Sequence, residues 1–173
     1  LWGLAYRTDY DLSAHQLDYQ DEETKSKIVP HVIEPSFGLD RTILAILSNA
    51  YTEDEMGGEK RIFLKLPARL APVTVAVFPL LKNKPELVAK ARAIYQDLKK
   101  LQATSYKLQA ITFDDNGNIG KRYRRQDEIG TPFCVTIDFQ TLEEGTVTLR
   151  DRDTGKQERV AVGELLVKIQ DKM

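Results

Sequence analysis

The sequence predicts a mixed α/β fold, and three features carry that prediction. Residues 73–80, VTVAVFPL, are almost continuously apolar, which is typical of a strand covered on both faces. Two segments join an extended apolar run directly to residues with helical spacing. The chain has 173 residues, of which 42% are hydrophobic, so it can bury one large core or two small ones.

The first stretch predicts a strand, a loop, a second strand and a helix. Residues 2–10 form the first predicted strand, and a polar segment with an acidic middle follows it. Residues 28–37 form the second strand. From Asp40 onward the apolar residues recur at helical spacing, at Ile43, Leu44, Leu47 and Tyr51. This helix is predicted to end before the acidic, glycine-paired segment TEDEMGGE.

Prolines mark the predicted boundary between two units. The short alternating strand RIFLKL is followed by a connection that Pro67 and Pro72 bracket. Because proline cannot extend the interior of a sheet, residues 58–72 are the predicted boundary region. We therefore assign residues 1–66 to one domain and residues 67–173 to another.

The second unit is predicted to be a mixed sheet flanked by helices. A helix that begins at Pro85 joins the strand at 73–80 to a strand at 105–113, which makes a βαβ unit with a right-handed crossover. The elements that follow are a charged helix at 119–130, a buried strand at 132–139, a hairpin at 146–162 that turns at residues 153–155, and a closing amphipathic helix at 162–173.

Composition narrows the classes of function. The formal net charge is −1, so any binding of nucleic acid must come from a local basic patch. No stretch approaches the roughly 20 apolar residues that cross a membrane. The single cysteine, Cys134, is expected in a buried strand and fits a reducing compartment such as the cytosol. His15 and His31 lack partners at metal-ligand spacing, and no serine has the glycine flanks of a nucleophile elbow.

A predicted strand-to-helix corner gathers the side chains with the clearest chemistry. Glu34 and Ser36 are two residues apart on a strand, so their side chains share one face. Gly38 turns the chain into a helix whose amino end favours anions, and Arg41 in its first turn suits a phosphate oxygen. The corner could therefore bind an ammonium group and a phosphate. From spacing alone, a salt bridge from Glu34 or Asp40 to Arg41 explains the same residues equally well.

The sequence of this corner is similar to a known motif. VPHVIEPSFGLDRTILAIL resembles the third signature motif of class II aminoacyl-tRNA synthetases, and its Glu-Pro-Ser triplet resembles the dimeric type of glycyl-tRNA synthetase. GLAYRTDYDL is similar to the strand before that motif, and the segments LAPVTVAVFPL, GNIGKRYRRQDEIGTPFCVTIDF and VTLRDRDT are similar to the C-terminal anticodon-binding domain. The resemblance implies the end of an antiparallel-sheet catalytic domain followed by an α/β anticodon-binding domain.

The resemblance also implies a role for each residue of the corner. Glu34 and Ser36 would hold the amino group of glycine, and Arg41 would contact the γ-phosphate of ATP. A glycine pocket too tight for a larger amino acid would be lined by Glu34, Pro35, Ser36, Phe37 and Gly38, and ATP would contact Gly38, Leu39, Asp40 and Arg41. Mg²⁺ would accompany ATP, with no ligand for it identifiable in the sequence.

The reaction and its partners follow from the same resemblance. The carboxylate of glycine would attack the α-phosphorus of ATP to give glycyl-adenylate and pyrophosphate, and the glycyl group would pass to the 3′ end of glycine tRNA. The enzyme would be a cytoplasmic homodimer that positions its substrates and neutralises charge without a covalent nucleophile. The first two signature motifs of the family would lie before Leu1. We therefore expect a piece of a longer chain that is inactive in aminoacylation by itself.

A basic segment in the second unit is the predicted tRNA contact. Its residues are Lys121, Arg122, Tyr123, Arg124 and Arg125. Basic side chains can neutralise phosphate, and a tyrosine can stack on an unpaired base. From the residues alone, a solvated helix face balanced by Asp127 and Glu128, with Tyr123 in the core, is the favoured explanation. The resemblance to the anticodon-binding domain reverses that preference.

Two rival functions share much of this sequence pattern. A synthetase-like binding protein, such as a polymerase accessory subunit, could keep the fold without the chemistry, but it would have no use for Glu34, Ser36 and Arg41 together. Another class II enzyme with a similar C-terminal fold, such as the threonyl or prolyl enzyme, is disfavoured by the Glu-Pro-Ser triplet.

Overall fold

A computed structural model describes residues 2–8, 18–103 and 108–173 of the chain. The chain divides into two compact units, Leu1–Ile46 and Leu47–Met173. The predicted domain boundary between residues 66 and 67 stays a prediction. In the described part of the chain, the helices are too short or too polar to cross a bilayer.

The first unit is built on a two-stranded antiparallel ribbon. Strand β1 (Trp2–Arg7) pairs with β4 (Val32–Phe37), and helix α1 (Leu39–Ala50) begins two residues after β4. The short strands β2 (Tyr19–Gln20) and β3 (Lys27–Ile28) pair with each other. The predicted strand over residues 28–37 is therefore two strands, interrupted near Pro30, which has no N–H to donate to a ladder. Residues 9 and 10 of the predicted first strand lie outside the described residues.

The β1–β4 ribbon has one small, polar face and one apolar face. The register places Gly3 opposite Ser36 and Ala5 opposite Glu34, and these four residues share the polar face. The other face carries the large apolar side chains Trp2, Leu4, Tyr6, Ile33 and Phe37, which are exposed by 61–76%. Two strands cannot enclose a core of their own, so the apolar face lies open to solvent.

After the last turn of α1, the second unit has a hairpin of which the sequence predicted only the second strand, RIFLKL. Strand β5 (Tyr51–Met56) and strand β6 (Glu59–Leu64) pair in antiparallel fashion around Gly57 and Gly58. Both glycines have positive φ, of 63° and 82°, which is the conformation that a tight two-residue hairpin turn requires. The acidic residues of β5 masked its strand character, because acidic residues are depleted in strands.

The main element of the second unit is a five-stranded mixed sheet. Its order is β11-β10-β9-β7-β8, with β7 parallel to both of its neighbours and the other pairs antiparallel. The strands are β7 (Val73–Pro79), β8 (Ala110–Phe113), β9 (Phe133–Ile137), β10 (Thr146–Asp151) and β11 (Gln157–Ala161). The strand predicted at residues 105–113 corresponds to β8, and residues 105–107 of that prediction lie outside the described residues. The predicted mixed α/β fold is thus confirmed.

Helices cover both faces of this sheet. Successive residues of β7 point to opposite sides, so Val75 and Val77 join the core beneath α2 and α5, whereas Phe78 packs with Tyr123 of α3 on the other face. The helices are α2 (Pro85–Gln102), α3 (Ile119–Ile129), α4 (Phe139–Glu144) and α5 (Leu165–Asp171), the last preceded by a 3₁₀ turn at Val162–Glu164. Helix α4 was not predicted, although Asp138 and Thr141 form a capping box at its start.

A buried ionic cluster joins the hairpin to the sheet and to α3. The two carboxylate oxygens of Asp127 accept bonds of 2.7 and 2.8 Å from Arg150 and of 3.1 Å from Arg61, and all three residues are at most 5% exposed. Arg61 also donates to Asp54 at 2.6 and 2.8 Å, and these bonds hold the pKa of the Asp54 carboxyl below its ordinary value. The buried Arg152 donates to the backbone carbonyls of Leu66 and Gly130.

Two glycines permit the close contact between the hairpin and the rest of this unit. Gly130 ends α3 in the left-handed region, at φ 85°, and a Cβ there would lie 2.9 Å from Leu66 Cδ1 and 3.1 Å from the carbonyl oxygen of Leu64. Gly155 turns β10 into β11, and a Cβ there would lie 2.5 Å from the sulfur of Met56. A larger residue at Gly130 would press on the backbone that follows the hairpin, whereas one at Gly155 would displace the Met56 side chain, and both positions need the positive φ that glycine adopts freely.

Replacing Asp127 with asparagine should lower the free energy of unfolding by about 3–5 kcal/mol, because Arg150 would stay buried without a balancing charge and Arg61 would keep only Asp54. Urea unfolding followed by circular dichroism measures the change. Asp97→Asn is the matched control, since Asp97 pairs with Lys100 in an exposed bridge of a kind that contributes about 0–1 kcal/mol. Equal effects of the two substitutions would contradict the importance of the buried cluster.

Candidate functional site

The predicted corner of the first unit lies at the junction of β4 and α1. The side chains of Glu34 and Ser36 lie on the polar face of the ribbon, as their spacing predicted, and residues 34–41 are all exposed. In the strand register the residues opposite them are Gly3 and Ala5, whose small size keeps both from projecting far over Ser36 and Glu34. An amino group could approach the carboxylate and the hydroxyl from this side.

Arg7 is a member of this site that the sequence analysis missed. Its Nε donates to Oε2 of Glu34 at 2.9 Å, and both side chains are about half exposed, at 43% and 47%. The two residues are diagonal neighbours across the β1–β4 pair, which only the strand register reveals. The contact holds the Glu34 carboxylate in one orientation on the polar face.

The amino end of α1 presents its free backbone donors beside this face. The carbonyl of Gly38 accepts the N–H of Thr42 at 3.0 Å and its hydroxyl at 2.8 Å, so the helical ladder starts at Gly38. Arg41 is exposed in the first turn. Among the described residues, no ion pair joins Arg41 to Glu34 or Asp40, and Glu34 pairs instead with Arg7. The guanidinium and the helix terminus are both suited to an anion.

The second unit has a topological switch point at β7. The connection from β7 to β8 runs through α2 on one face of the sheet, and the connection from β8 to β9 runs through α3 on the other face. Strands β8 and β9 therefore flank β7 on opposite sides, both parallel to it. In open α/β sheets, ligands bind outside the carboxyl ends of the strands at such a point.

A cavity of about 340 Å³ occupies this position, and we call it the switch-point cavity. Its walls are the loop after β7 and the loop that leads from β8 into α3, and it is lined by residues 80–83 and 117–119 together with Arg122. Asn118 caps α3 by accepting the N–H of Lys121 at 2.9 Å. Lys82 on one wall is exposed, so the rim carries a positive charge above a largely apolar floor.

The predicted basic segment forms the first half of α3, and its residues point in two directions. Lys121 and Arg124 are exposed on the outer surface of the helix, where Arg124 pairs with Glu59 at 2.9 Å. Arg125 is only partly exposed, because it donates to Asp114 at 2.6 Å and to the carbonyl of Asn116 at 2.7 Å. Lys121 and Arg124 can therefore reach a phosphate from the surface, and Arg125 is tied to the neighbouring loop.

Comparison with known proteins decides the family. A family model described as "Anticodon binding domain" matches residues 74–172, which contain nearly the whole mixed sheet and the switch-point cavity.

The chain belongs to the anticodon-binding domain family.

The chain is also similar to glycine–tRNA ligases along nearly its whole length. It is 49% identical over 179 residues to the enzyme of Lachnospira eligens, covering 99% of this chain and 37% of that protein. It is 51% identical over 176 residues to the enzyme of Thermobifida fusca and 51% over 172 residues to that of Clostridium beijerinckii, each covering 95% of this chain. The resemblance to glycyl-tRNA synthetase is confirmed, and the chain spans a little over a third of the length of these relatives.

Within the anticodon-binding domain, Arg122 does not occupy the position predicted for an RNA contact. Its side chain is 1% exposed and donates to the backbone carbonyls of Pro79, Asp115, Asn116 and Gly117. Burial lowers the pKa of this guanidinium from its ordinary value. A side chain with its donors engaged inside the protein cannot reach a phosphate, so the prediction for Arg122 needs correction.

Tyr123 also points inward. Its hydroxyl lies 2.6 Å from that of Thr136, its ring stacks edge-on against Phe78, and the guanidinium of Arg150 lies 4.8 Å from the ring centroid. Burial raises the pKa of the tyrosine hydroxyl. The explanation that placed Tyr123 in the core fits these contacts, and stacking on an unpaired base does not.

The single cysteine has no exposed chemistry. Cys134 lies in β9 and is 1% exposed, as the sequence predicted. Burial raises the pKa of its thiol far above the ordinary value, which keeps it protonated and unreactive. Within the described residues, no three histidine, cysteine, aspartate or glutamate side chains stand close enough together to hold a metal ion.

Proposed function

We propose that the chain is the C-terminal part of a glycyl-tRNA synthetase, in which the corner at β4 and α1 contacts glycine and ATP and the second unit binds the anticodon loop of glycine tRNA. The observation that carries the proposal is the corner itself. Glu34 and Ser36 stand exposed on one face immediately before Gly38 and the exposed Arg41. The similarity to glycine–tRNA ligases supports the same assignment.

The polar face of the ribbon suits the amino group of a small amino acid. The carboxylate of Glu34, held by Arg7, would accept from the ammonium group, and the hydroxyl of Ser36 would accept a second N–H. Gly3 and Ala5 leave room for the amino acid over this face. Backbone from Glu34 to Gly38, including Pro35 and Phe37, would close the pocket around glycine.

The start of α1 suits the triphosphate of ATP. The exposed first-turn amides of Leu39, Asp40 and Arg41 and the positive end of the helix favour an anion, and the Arg41 guanidinium would contact the γ-phosphate. Mg²⁺ would arrive as part of the nucleotide substrate. The glycine carboxylate would attack the α-phosphorus, pyrophosphate would leave, and the glycyl group would then pass to the 3′ end of the tRNA.

Charge and shape on the second unit support contact with single-stranded RNA. Lys121 and Arg124 on α3 would neutralise phosphates, and Lys82 would do the same at the rim of the switch-point cavity. The apolar floor of that cavity would accept the face of an unpaired anticodon base. We expect this protein to act in the cytoplasm as part of a homodimer, and the 173-residue chain alone to lack aminoacylation activity.

Replacing Arg41 with alanine in the full-length synthetase should lower glycine-dependent exchange of pyrophosphate into ATP by about 10²- to 10³-fold, because a positioned charge on the phosphates is removed. Lys100→Ala, on an exposed side chain of α2, is the control and should leave exchange unchanged. Exchange that depends on threonine or proline instead of glycine would overturn the substrate. A full-length protein that binds tRNA but supports no exchange would favour the rival function of a synthetase-like binding protein.

Replacing Lys121 and Arg124 together with alanine should weaken binding of glycine tRNA and reduce the slope of log K against log salt by about 0.7 for each phosphate that the variant no longer neutralises. Filter binding of the tRNA transcript at several salt concentrations measures both. Lys90→Ala with Lys100→Ala removes the same charge from α2, which covers the opposite face of the sheet, and should leave the slope nearly unchanged. An unchanged slope in the α3 variant would remove that helix from the interface.

A further inference from the structure

Arg122 is the largest fully buried side chain among the described residues, and its position is unusual for an arginine. Among the described residues no carboxylate oxygen lies within 4 Å of its guanidinium, although the charges of Asp114 and Asp115 attract it from farther away. Its donors go instead to four backbone carbonyls, at 2.7 Å for Gly117, 3.1 Å for Asp115 and 3.3 Å for Asn116, with a further bond to Pro79. Burying a charge that has no directly paired counter-charge is unfavourable unless hydrogen bonds compensate, so these four bonds hold Arg122 in place.

Of the four residues that supply these carbonyls, Gly117 lines the switch-point cavity, and the others directly adjoin the two segments that form its walls. Pro79 is the last residue of β7 and leads into residues 80–83, whereas Asp115, Asn116 and Gly117 form the loop that precedes α3. Arg122 itself lines the cavity between them. One guanidinium therefore sets the distance between the end of β7 and the loop on the far side.

Only an arginine can make this connection. Its planar fork carries five donors in fixed directions, which lets it reach Pro79 on one side and the loop carbonyls on the other. A lysine has one nitrogen at the end of a flexible chain and cannot serve both walls at once. A methionine of similar length fills the space but donates nothing.

We propose that Arg122 is a positioning residue of the anticodon site, which fixes the width of the switch-point cavity and thereby the discrimination between bases, without contacting the RNA phosphates. This inference rests on the proposed tRNA binding of the second unit. A surface arginine would affect both the selectivity for the anticodon and the electrostatic part of the affinity, whereas a buried positioning residue affects only the selectivity. Selectivity for the anticodon depends on Arg122, and the electrostatic part of the affinity depends on Lys121 and Arg124.

Arg152 provides a matched control within the same unit. It is also buried, at 3% exposed, and it also donates to backbone carbonyls, those of Gly130 and Leu66, although unlike Arg122 it pairs in addition with a carboxylate, that of Asp153 at 2.7 Å. It follows β10, whose last residue pairs with Phe133 at the start of β9, so it lies at the sheet end opposite the carboxyl ends of β7 and β9. Substituting Arg152 disturbs the fold in a comparable way without touching the walls of the cavity.

The test compares Arg122→Lys, Arg122→Met and Arg152→Lys with the unaltered chain. Binding is measured for the glycine tRNA transcript and for transcripts with each anticodon base replaced, below the melting temperature of every variant. Both Arg122 variants should reduce the affinity ratio between the correct and altered anticodons by about tenfold or more, while the salt slope stays unchanged. Arg152→Lys should lower the melting temperature and keep the ratio.

The outcomes separate this inference from the proposed function. If the unaltered chain does not distinguish anticodons, tRNA selection by the second unit is wrong and the role of Arg122 falls with it. If the unaltered chain distinguishes them and the folded Arg122 variants keep the same ratio as Arg152→Lys, only the inference about Arg122 is overturned. Loss of folding in both Arg122 variants would assign the residue to stability alone and would overturn it as well.

Discussion

The second unit depends on one carboxylate, that of Asp127, which lies between the guanidinium groups of Arg61 and Arg150. The three residues come from β6, α3 and β10, so the contact joins elements that are remote in sequence. Each charge would be costly to bury alone, and together they satisfy one another's hydrogen bonds. Arg61 further engages Asp54, which extends the cluster across the hairpin. The orientation of α3, and with it the placement of Lys121 and Arg124, follows from this arrangement.

The strands and helices with strong periodicity were predictable from the sequence, and the weak or disguised ones were not. The continuous apolar run of β7 and the one-sided stripe of α2 identify these elements directly, because burial on two faces and on one face give different patterns. Strand β5 was missed because its charged residues hide the alternation. Helix α4 was missed because six residues are too few for a helical period, and its capping box follows directly on a strand.

The sequence predicts which side chains of the candidate site share a face of one strand or helix. It does not predict contacts between residues of different elements. The shared face of Glu34 and Ser36 follows from the two-residue repeat of a strand, whereas the contact of Arg7 with Glu34 depends on a register that spacing cannot give. The helical period of α3 places Arg122 on a different face of the helix from Lys121 and Arg124, so the sequence alone could have predicted that Arg122 points elsewhere. That Arg122 is buried at all depends on the Pro79 carbonyl, which comes from a strand far earlier in the chain.

The attachment of the β5–β6 hairpin to the sheet affects where this protein can be cut. A truncated version that starts at residue 74, where similarity to the anticodon-binding domain begins, would discard Arg61 and the Leu66 carbonyl together. It would retain Asp127 with one guanidinium in place of two and would uncover the end of α3. The segment that sequence comparison matches is therefore shorter than the unit that packs together, and heterologous production of the second unit should begin near Leu47.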